Sequence, residues 1–195
     1  MKDNKLNEKS PATAKQQLIK LCTAAMFAAL ICVATMVIQI PSPMNGYVNF
    51  GDCFILVAAW VLGPVYGFAA GGIGSAFADL FSGYAHYVPA TFIIKGLIAL
   101  AAALIARGFS KKFPKIRLVG YIIGALCGEL IMVAGYFGYE AILLGNGLGA
   151  LSGVPGNLIQ GVFGMIVGVV IIQILSSAKV LNKAENYLSG ERHHG

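Results

Sequence analysis

All but one of the 14 lysines and arginines of this 195-residue chain gather in three places: the first 20 residues, positions 107–117 and a C-terminal tail. The exception, Lys95, sits inside an apolar segment, and four acids, Asp52, Asp79, Glu129 and Glu140, lie in or at the ends of other apolar segments. Clusters of bases beside long apolar runs fix membrane orientation, because cytoplasmic loops carry an excess of Lys and Arg. Ionisable groups within such runs are costly in lipid and face a bundle interior or a wet cavity. This distribution commits the chain to a bilayer and to a polar centre within it.

Composition agrees. Hydrophobic residues make up 57% of the chain and charged residues 11%, where a soluble domain carries about 25% charged. A net charge of +6 would suggest a nucleic-acid partner in a soluble protein. Here the bases flank apolar segments, so topology and lipid headgroups account for them and no nucleic acid is expected. Cys22, Cys32, Cys53 and Cys127 are scattered through apolar stretches with no Cys-x-x-Cys pair and no adjacent His, which predicts neither a metal site nor a disulfide framework. Phosphate-loop, Gly-x-Ser-x-Gly and His-Glu-x-x-His patterns are missing, so neither a bound nucleotide, another cofactor nor a recognisable catalytic centre is expected.

Six apolar spans follow from the hydropathy pattern. The first, 18–40, is long enough to cross a hydrocarbon core of ~30 Å and too long for a typical signal-peptide core. Pro41-Ser42-Pro43-Met44-Asn45-Gly46 then makes a loop. Further spans are expected at 52–62, 67–81 with a bend at Gly63-Pro64, 90–106, 118–144 and 154–175. The chain thus divides into a cytoplasmic tail (1–17), a six-helix transmembrane domain (18–178) and a second cytoplasmic tail (179–195). Both termini and the 107–117 loop fall on the cytoplasmic side, and the base-free loops 41–51, 82–89 and 145–153 lie outside. Small residues recur at helical spacing: Ala24 with Ala28, Ala25 with Ala29, the Gly120-Gly124-Gly128 series, and Gly164 with Gly168. Such stripes let helix backbones approach closely, within the bundle or against another membrane subunit. Gly71-Gly72-Ile73-Gly74, inside an apolar span, reads as packing too.

With this topology the buried polar residues share one level, in the outer half or at the midplane. Asp52 opens the second span, Asp79 closes the third, and Lys95 lies below the start of the fourth. Glu129, Val133, Tyr136 and Glu140 share one face of the fifth span, and Asn157 and Gln160 one face of the sixth. Lys95 is expected to pair with Glu129, Asp79 or Asp52. Tyr84, His86, Tyr87, Tyr136 and Tyr139 lie at similar depth, either as an interfacial belt or as stacking partners for a flat heteroaromatic ligand.

The segments Gly46-Tyr-Val-Asn49-Phe-Gly-Asp52, Leu62-Gly-Pro-Val-Tyr-Gly67, Gly71-Gly-Ile-Gly-Ser-Ala-Phe-Ala-Asp79, Ser82-Gly-Tyr-Ala-His-Tyr87 and Pro89-Ala-Thr-Phe-Ile-Ile-Lys-Gly96 resemble the substrate-binding S components of energy-coupling-factor (ECF) vitamin transporters. The likeness is nearest to the riboflavin-type group, which also holds predicted carriers of hydroxymethylpyrimidine and pyridoxine. The resemblance implies a six-helix bundle that captures a vitamin from outside, with a pocket drawn from Asn49, Asp52, Asp79, Tyr84, His86, Tyr87, Lys95, Glu129, Tyr136, Glu140, Asn157 and Gln160. It also implies an Ala-x-x-x-Ala surface on the first helix, matched by Ala24/Ala28 and Ala25/Ala29. This surface would dock on a transmembrane T component energised by two cytoplasmic ATPases, against which the S component topples to deliver its ligand.

Lys95 among several acids favours a small hydrogen-bonding pyrimidine or pyridine over the large isoalloxazine of riboflavin. Competing readings are a riboflavin-specific S component and a stand-alone proton-coupled carrier using Glu129 and Lys95. An intramembrane enzyme using His86 with Asp79 or Glu140 is a third.

Overall fold

The computed structural model describes residues 11–42 and 46–178. Six helices form a bundle: α1 (Pro11–Val37), α2 (Gly51–Leu62), α3 (Pro64–Phe81), α4 (Val88–Lys112), α5 (Arg117–Gly138) and α6 (Val154–Ser177). A short hairpin of β1 (Gln39–Ser42) and β2 (Gly46–Asn49) links α1 to α2. The expected all-α membrane bundle is present, with four departures in detail.

First, α1 begins at Pro11, so residues 11–17 are continuous with the helix whose apolar span was expected to start at 18. Positions 1–10 and the tail 179–195 lie outside the described residues. Second, the segment expected as an irregular loop at 41–51 is antiparallel hairpin over much of its length, with Gln39 opposite Asn49 and Ile40 opposite Val48. Tyr47 and Val48 are strand formers, and alternation turns Tyr47 and Asn49 to the same side.

Third, the basic segment 107–117 is mostly helix. Arg and Lys are good helix formers whose stems can lie along apolar surface, so α4 runs on to Lys112. It stops at Phe113, which precedes Pro114 and leaves the helical region (φ −134°, ψ 70°), as a residue before proline tends to do. Fourth, much of the 145–153 loop is wound into 3₁₀ turns, Gly147–Gly153.

Among the described residues, four stretches are long and apolar enough to cross a membrane: 14–37, 88–112, 114–143 and 147–177. α2 is not one of them. Its 12 residues rise only ~18 Å at 1.5 Å each, short of a ~30 Å core. Ten of those residues are buried, because α2 is the centre of the bundle and packs against α1, α3, α4 and α6. The second strand of the hairpin packs on α6 and α1 just before α2 begins. At the other end of α2, Gly63 at φ 87° turns the chain and Pro64 opens α3, using a proline where the first helical N–H has no partner anyway.

The glycine stripes are contact points between helices. A Cβ on Gly74 would meet the Ala28 carbonyl oxygen at 2.5 Å, one on Gly72 the Phe92 carbonyl at 2.7 Å, and one on Gly124 the Ala102 carbonyl at 2.7 Å. Little is gained by moving apolar side chains from lipid to protein, so such close backbone approach holds the bundle together.

Candidate functional site

The polar residues converge at the hairpin end of the bundle, in two layers. The lower layer is built on Asp52, in the first turn of α2 and fully buried. Lys95 Nζ of α4 donates to Asp52 Oδ1 at 2.5 Å, and Gln160 Nε2 of α6 donates to Asp52 Oδ2 at 2.5 Å. The Lys95 ammonium also lies 3.1 Å from the Met132 sulfur and 5.6 Å from the centre of the Tyr136 ring. Gly164 allows α6 this close, for a Cβ there would meet the Asp52 Cβ at 2.8 Å. Pairing plus two further polar partners offsets much of the cost of burying both charges.

Gln160 joins this layer to the hairpin above it, since its Oε1 accepts the Asn49 backbone N–H at 2.8 Å. The Asn49 side chain in turn accepts the Gly51 N–H at 2.8 Å, satisfying an open donor at the start of α2. A continuous path of hydrogen bonds therefore runs from the hairpin through Gln160 and Asp52 to Lys95.

The upper layer surrounds a cavity of about 50 Å³. Its walls are Tyr47 and Asn49 from the hairpin, Asp79 from α3, Tyr84 and Tyr87 from the α3–α4 turn, and Thr91 from α4. Tyr136 and Glu140 close the α5 side, and Gly153, Asn157 and Gln160 the α6 side. Tyr47 donates to Asp79 Oδ1 at 2.6 Å and packs against Tyr84 with ring centres 4.9 Å apart. Burial and the Asp79 carboxylate push the Tyr47 phenol above its ordinary pKa, so it remains a donor. Thr91 and Tyr136 share a hydrogen bond of 3.0 Å. Tyr87 donates to Glu140 Oε1 at 3.1 Å, and burial followed by that carboxylate raises its phenol likewise.

Glu140 reaches the cavity from a π-turn, Tyr139–Leu143, that ends α5. The Leu144 N–H bonds back five residues to the Tyr139 carbonyl at 3.1 Å, a local widening frequent at functional sites. Two carboxylate oxygens, Asp79 Oδ2 and Glu140 Oε2, are buried without a hydrogen-bond partner. The cavity is therefore rich in acceptors, walled by aromatic rings and floored by an amide and an ion pair.

Of the residues singled out from the sequence, Asn49, Asp79, Tyr84, Tyr87, Tyr136, Glu140, Asn157 and Gln160 line this cavity. Asp52 and Lys95 lie beneath it. The His86 side chain is exposed at the rim, its ring centre 4.6 Å from that of Tyr87, while its carbonyl accepts the Tyr139 hydroxyl. Glu129 lines a separate apolar crevice between α5 and α6 with Leu126, Val133 and Met165, and neither of its carboxylate oxygens has a partner. Tyr47, Thr91 and Met132 were not legible as site residues, although Thr91 is one turn before Lys95 on the same helix face and Met132 three residues after Glu129.

The two alanine stripes of α1 separate in the structure. Ala24 is buried, and the Ala28 backbone packs on Gly74 of α3. Ala25 and Ala29 are exposed. All four border an apolar groove of about 490 Å³ between α1 and α3 that also takes in Val65, Ile73 and Phe77.

Comparison with known proteins gives this arrangement a context. Residues 15–177 match the family described as the ECF-type riboflavin transporter, S component. A Pyrococcus woesei protein carrying the name "Uncharacterized protein in gap 3'region" is 35% identical over 139 residues, 71% of this chain and 88% of the relative. The "Thiamine precursor transporter HmpT" of Lactococcus lactis subsp. cremoris (strain MG1363) is 23% identical over 84% of this chain and 91% of its own length. Among solved structures, one described as the structure and mechanism of the S component of a bacterial ECF transporter shares the fold, with a TM-score of 0.62. It is 24% identical and covers 83% of this chain and 97% of that one. The chain belongs to the ECF-type riboflavin transporter S-component family and is thus a membrane-embedded component of vitamin uptake.

Proposed function

We propose that this S component binds a small, singly ringed, amine- or hydroxyl-bearing heteroaromatic vitamin precursor, of the aminopyrimidine or pyridine kind, in the cavity beneath the hairpin. The observation that carries the reading is the pair of unpartnered buried oxygens, Asp79 Oδ2 and Glu140 Oε2, at one cavity. A buried acceptor without a donor is unfavourable by roughly 1–3 kcal/mol, and a ligand with N–H or O–H groups relieves both. Tyr84, Tyr87 and Tyr136 supply ring faces for stacking. Gln160 and Asn157 read the remaining polar edge, and Lys95 holds Asp52 and Gln160 in register from below. The distant likeness to a protein named as a thiamine precursor transporter points the same way, whereas the family description names riboflavin.

The surroundings follow from the same reading. The base-rich ends of α4 and α5 face the cytoplasm and the hairpin faces outward, so the ligand is captured from outside. The exposed Ala25/Ala29 stripe and its groove dock on a T component, and two ATPases supply the energy.

Equilibrium binding to the purified chain tests the substrate. Hydroxymethylpyrimidine or pyridoxine should bind at submicromolar dissociation constant and riboflavin at least tenfold more weakly, with Glu140→Gln costing the preferred ligand tenfold or more. Tight riboflavin binding with none of the smaller rings would overturn the substrate assignment.

A further inference from the structure

At the opposite, base-rich end of the molecule lies a second pocket, of about 310 Å³, where α1, α2, α4 and α5 meet. Lys20, Arg107 and Arg117 line it together with Trp60, Ser110 and Tyr121, and its lining includes neither Asp nor Glu. We propose that this pocket binds a phosphate group, presented by the headgroup of an anionic phospholipid or by a soluble phosphate ester.

Three independent features converge. Lys20 and Arg107, from different helices, face one cavity, and among the described residues neither has a carboxylate within salt-bridge distance. Trp60 is 5% exposed, and its indole Nε1 is buried without a hydrogen-bond partner. A buried N–H with no acceptor, next to clustered cations, calls for an anionic acceptor. Finally, the pocket is held in shape. The Arg107 guanidinium lies against Gly63, where any Cβ would collide with it, and Gly63 in turn is fixed at φ 87° by the α2–α3 corner. Trp60 packs on Tyr121 with ring centres 5.0 Å apart, and Arg117 donates to the Tyr121 hydroxyl at 3.2 Å.

The donors offered are guanidinium, ammonium, indole N–H and hydroxyl groups, which match a tetrahedral phosphate better than a planar carboxylate. The level is also right for lipid. Basic pockets between helices at a cytoplasmic face take up anionic headgroups. A headgroup seated here would fix the depth and tilt of the bundle from its basic end, independently of whatever occupies the cavity at the other end.

Trp60 is the sole tryptophan of the chain, so its fluorescence reports on the pocket directly. The full-length protein is placed in phosphatidylcholine nanodiscs with rising fractions of phosphatidylglycerol. A second arm adds inorganic phosphate or glycerol phosphate to pure phosphatidylcholine discs. A saturable change in Trp60 emission with phosphatidylglycerol supports the lipid source, and one with soluble phosphate alone supports the soluble source. In either arm Lys20→Ala with Arg107→Ala should weaken the response at least tenfold, while Lys111→Ala, a charge outside the pocket, should leave it unchanged. If the double variant does not fold, Arg107→Gln is read in the same titration, with a several-fold loss expected. No saturable response in either arm, or an equal loss in Lys111→Ala, overturns the proposal.

Discussion

Lys95 shows how much a single buried charge can organise. Its side chain is 3% exposed, and its ammonium is held by Asp52, Met132 and the Tyr136 ring. Removing it leaves the Asp52 carboxylate buried without a cation, a change that typically costs about 3–5 kcal/mol. Asp52, the hydrogen-bond partner of Gln160, is then no longer held in place by the ammonium, and the orientation of the cavity floor loosens with it. Lys95→Ala should therefore lower thermal stability and weaken ligand binding at least tenfold, about 1.4 kcal/mol. Combining Asp52→Asn with Lys95→Met should return most of the stability and little of the binding. An unchanged dissociation constant in Lys95→Ala would reduce this pair to a structural tie. Sequence spacing left three acids open as the partner of Lys95. The choice of Asp52 depends on α2 starting in the bundle centre, which no local pattern encodes. Met132 was missed because a thioether counts as apolar in any hydropathy pattern, although its sulfur is polarisable enough to sit beside an ammonium.

At the scale of elements, most helix boundaries followed from apolar runs and proline or glycine punctuation, as the Gly63-Pro64 corner illustrates. The hairpin did not, because its strands are four residues each and sit among prolines that read as loop. Tyr47 lay hidden in that loop. The π-turn that carries Glu140 was equally invisible, since a one-residue widening of a helix leaves the sequence period intact to within a residue. The α1 stripes show what spacing alone cannot separate. Ala24 and Ala28 face α3, where Gly74 accepts the Ala28 backbone, while Ala25 and Ala29 remain exposed. Ala25→Trp should thus abolish transport and association with a T component while leaving ligand affinity within twofold, measured on the same preparation by pull-down and equilibrium binding. Ala28→Trp should also destabilise the bundle, by overpacking at a backbone contact. Lost ligand binding in Ala25→Trp, with association intact, would contradict the docking assignment.

For the whole molecule, the two ends have opposite chemistry. The hairpin end gathers Asp52, Asp79 and Glu140 around one cavity and its floor, and the other end gathers Lys20, Arg107 and Arg117 around another. That polarity was legible from charge placement alone, because insertion sorts bases to one side. The convergence of five helices and a hairpin on one small cavity was legible only as a shared depth. Orientation is checked by reporter fusions: green fluorescent protein at the C-terminus should fluoresce, and alkaline phosphatase inserted in 145–153 should be active. The reverse pattern would invert the direction of capture. The central claim, that the hairpin-end cavity holds a singly ringed vitamin precursor, is tested most directly by native mass spectrometry of the purified chain with released small molecules identified by mass. The account predicts a pyrimidine- or pyridine-sized compound that disappears in the Asp79→Asn, Glu140→Gln double variant. A flavin, or a bound compound indifferent to both substitutions, would contradict it.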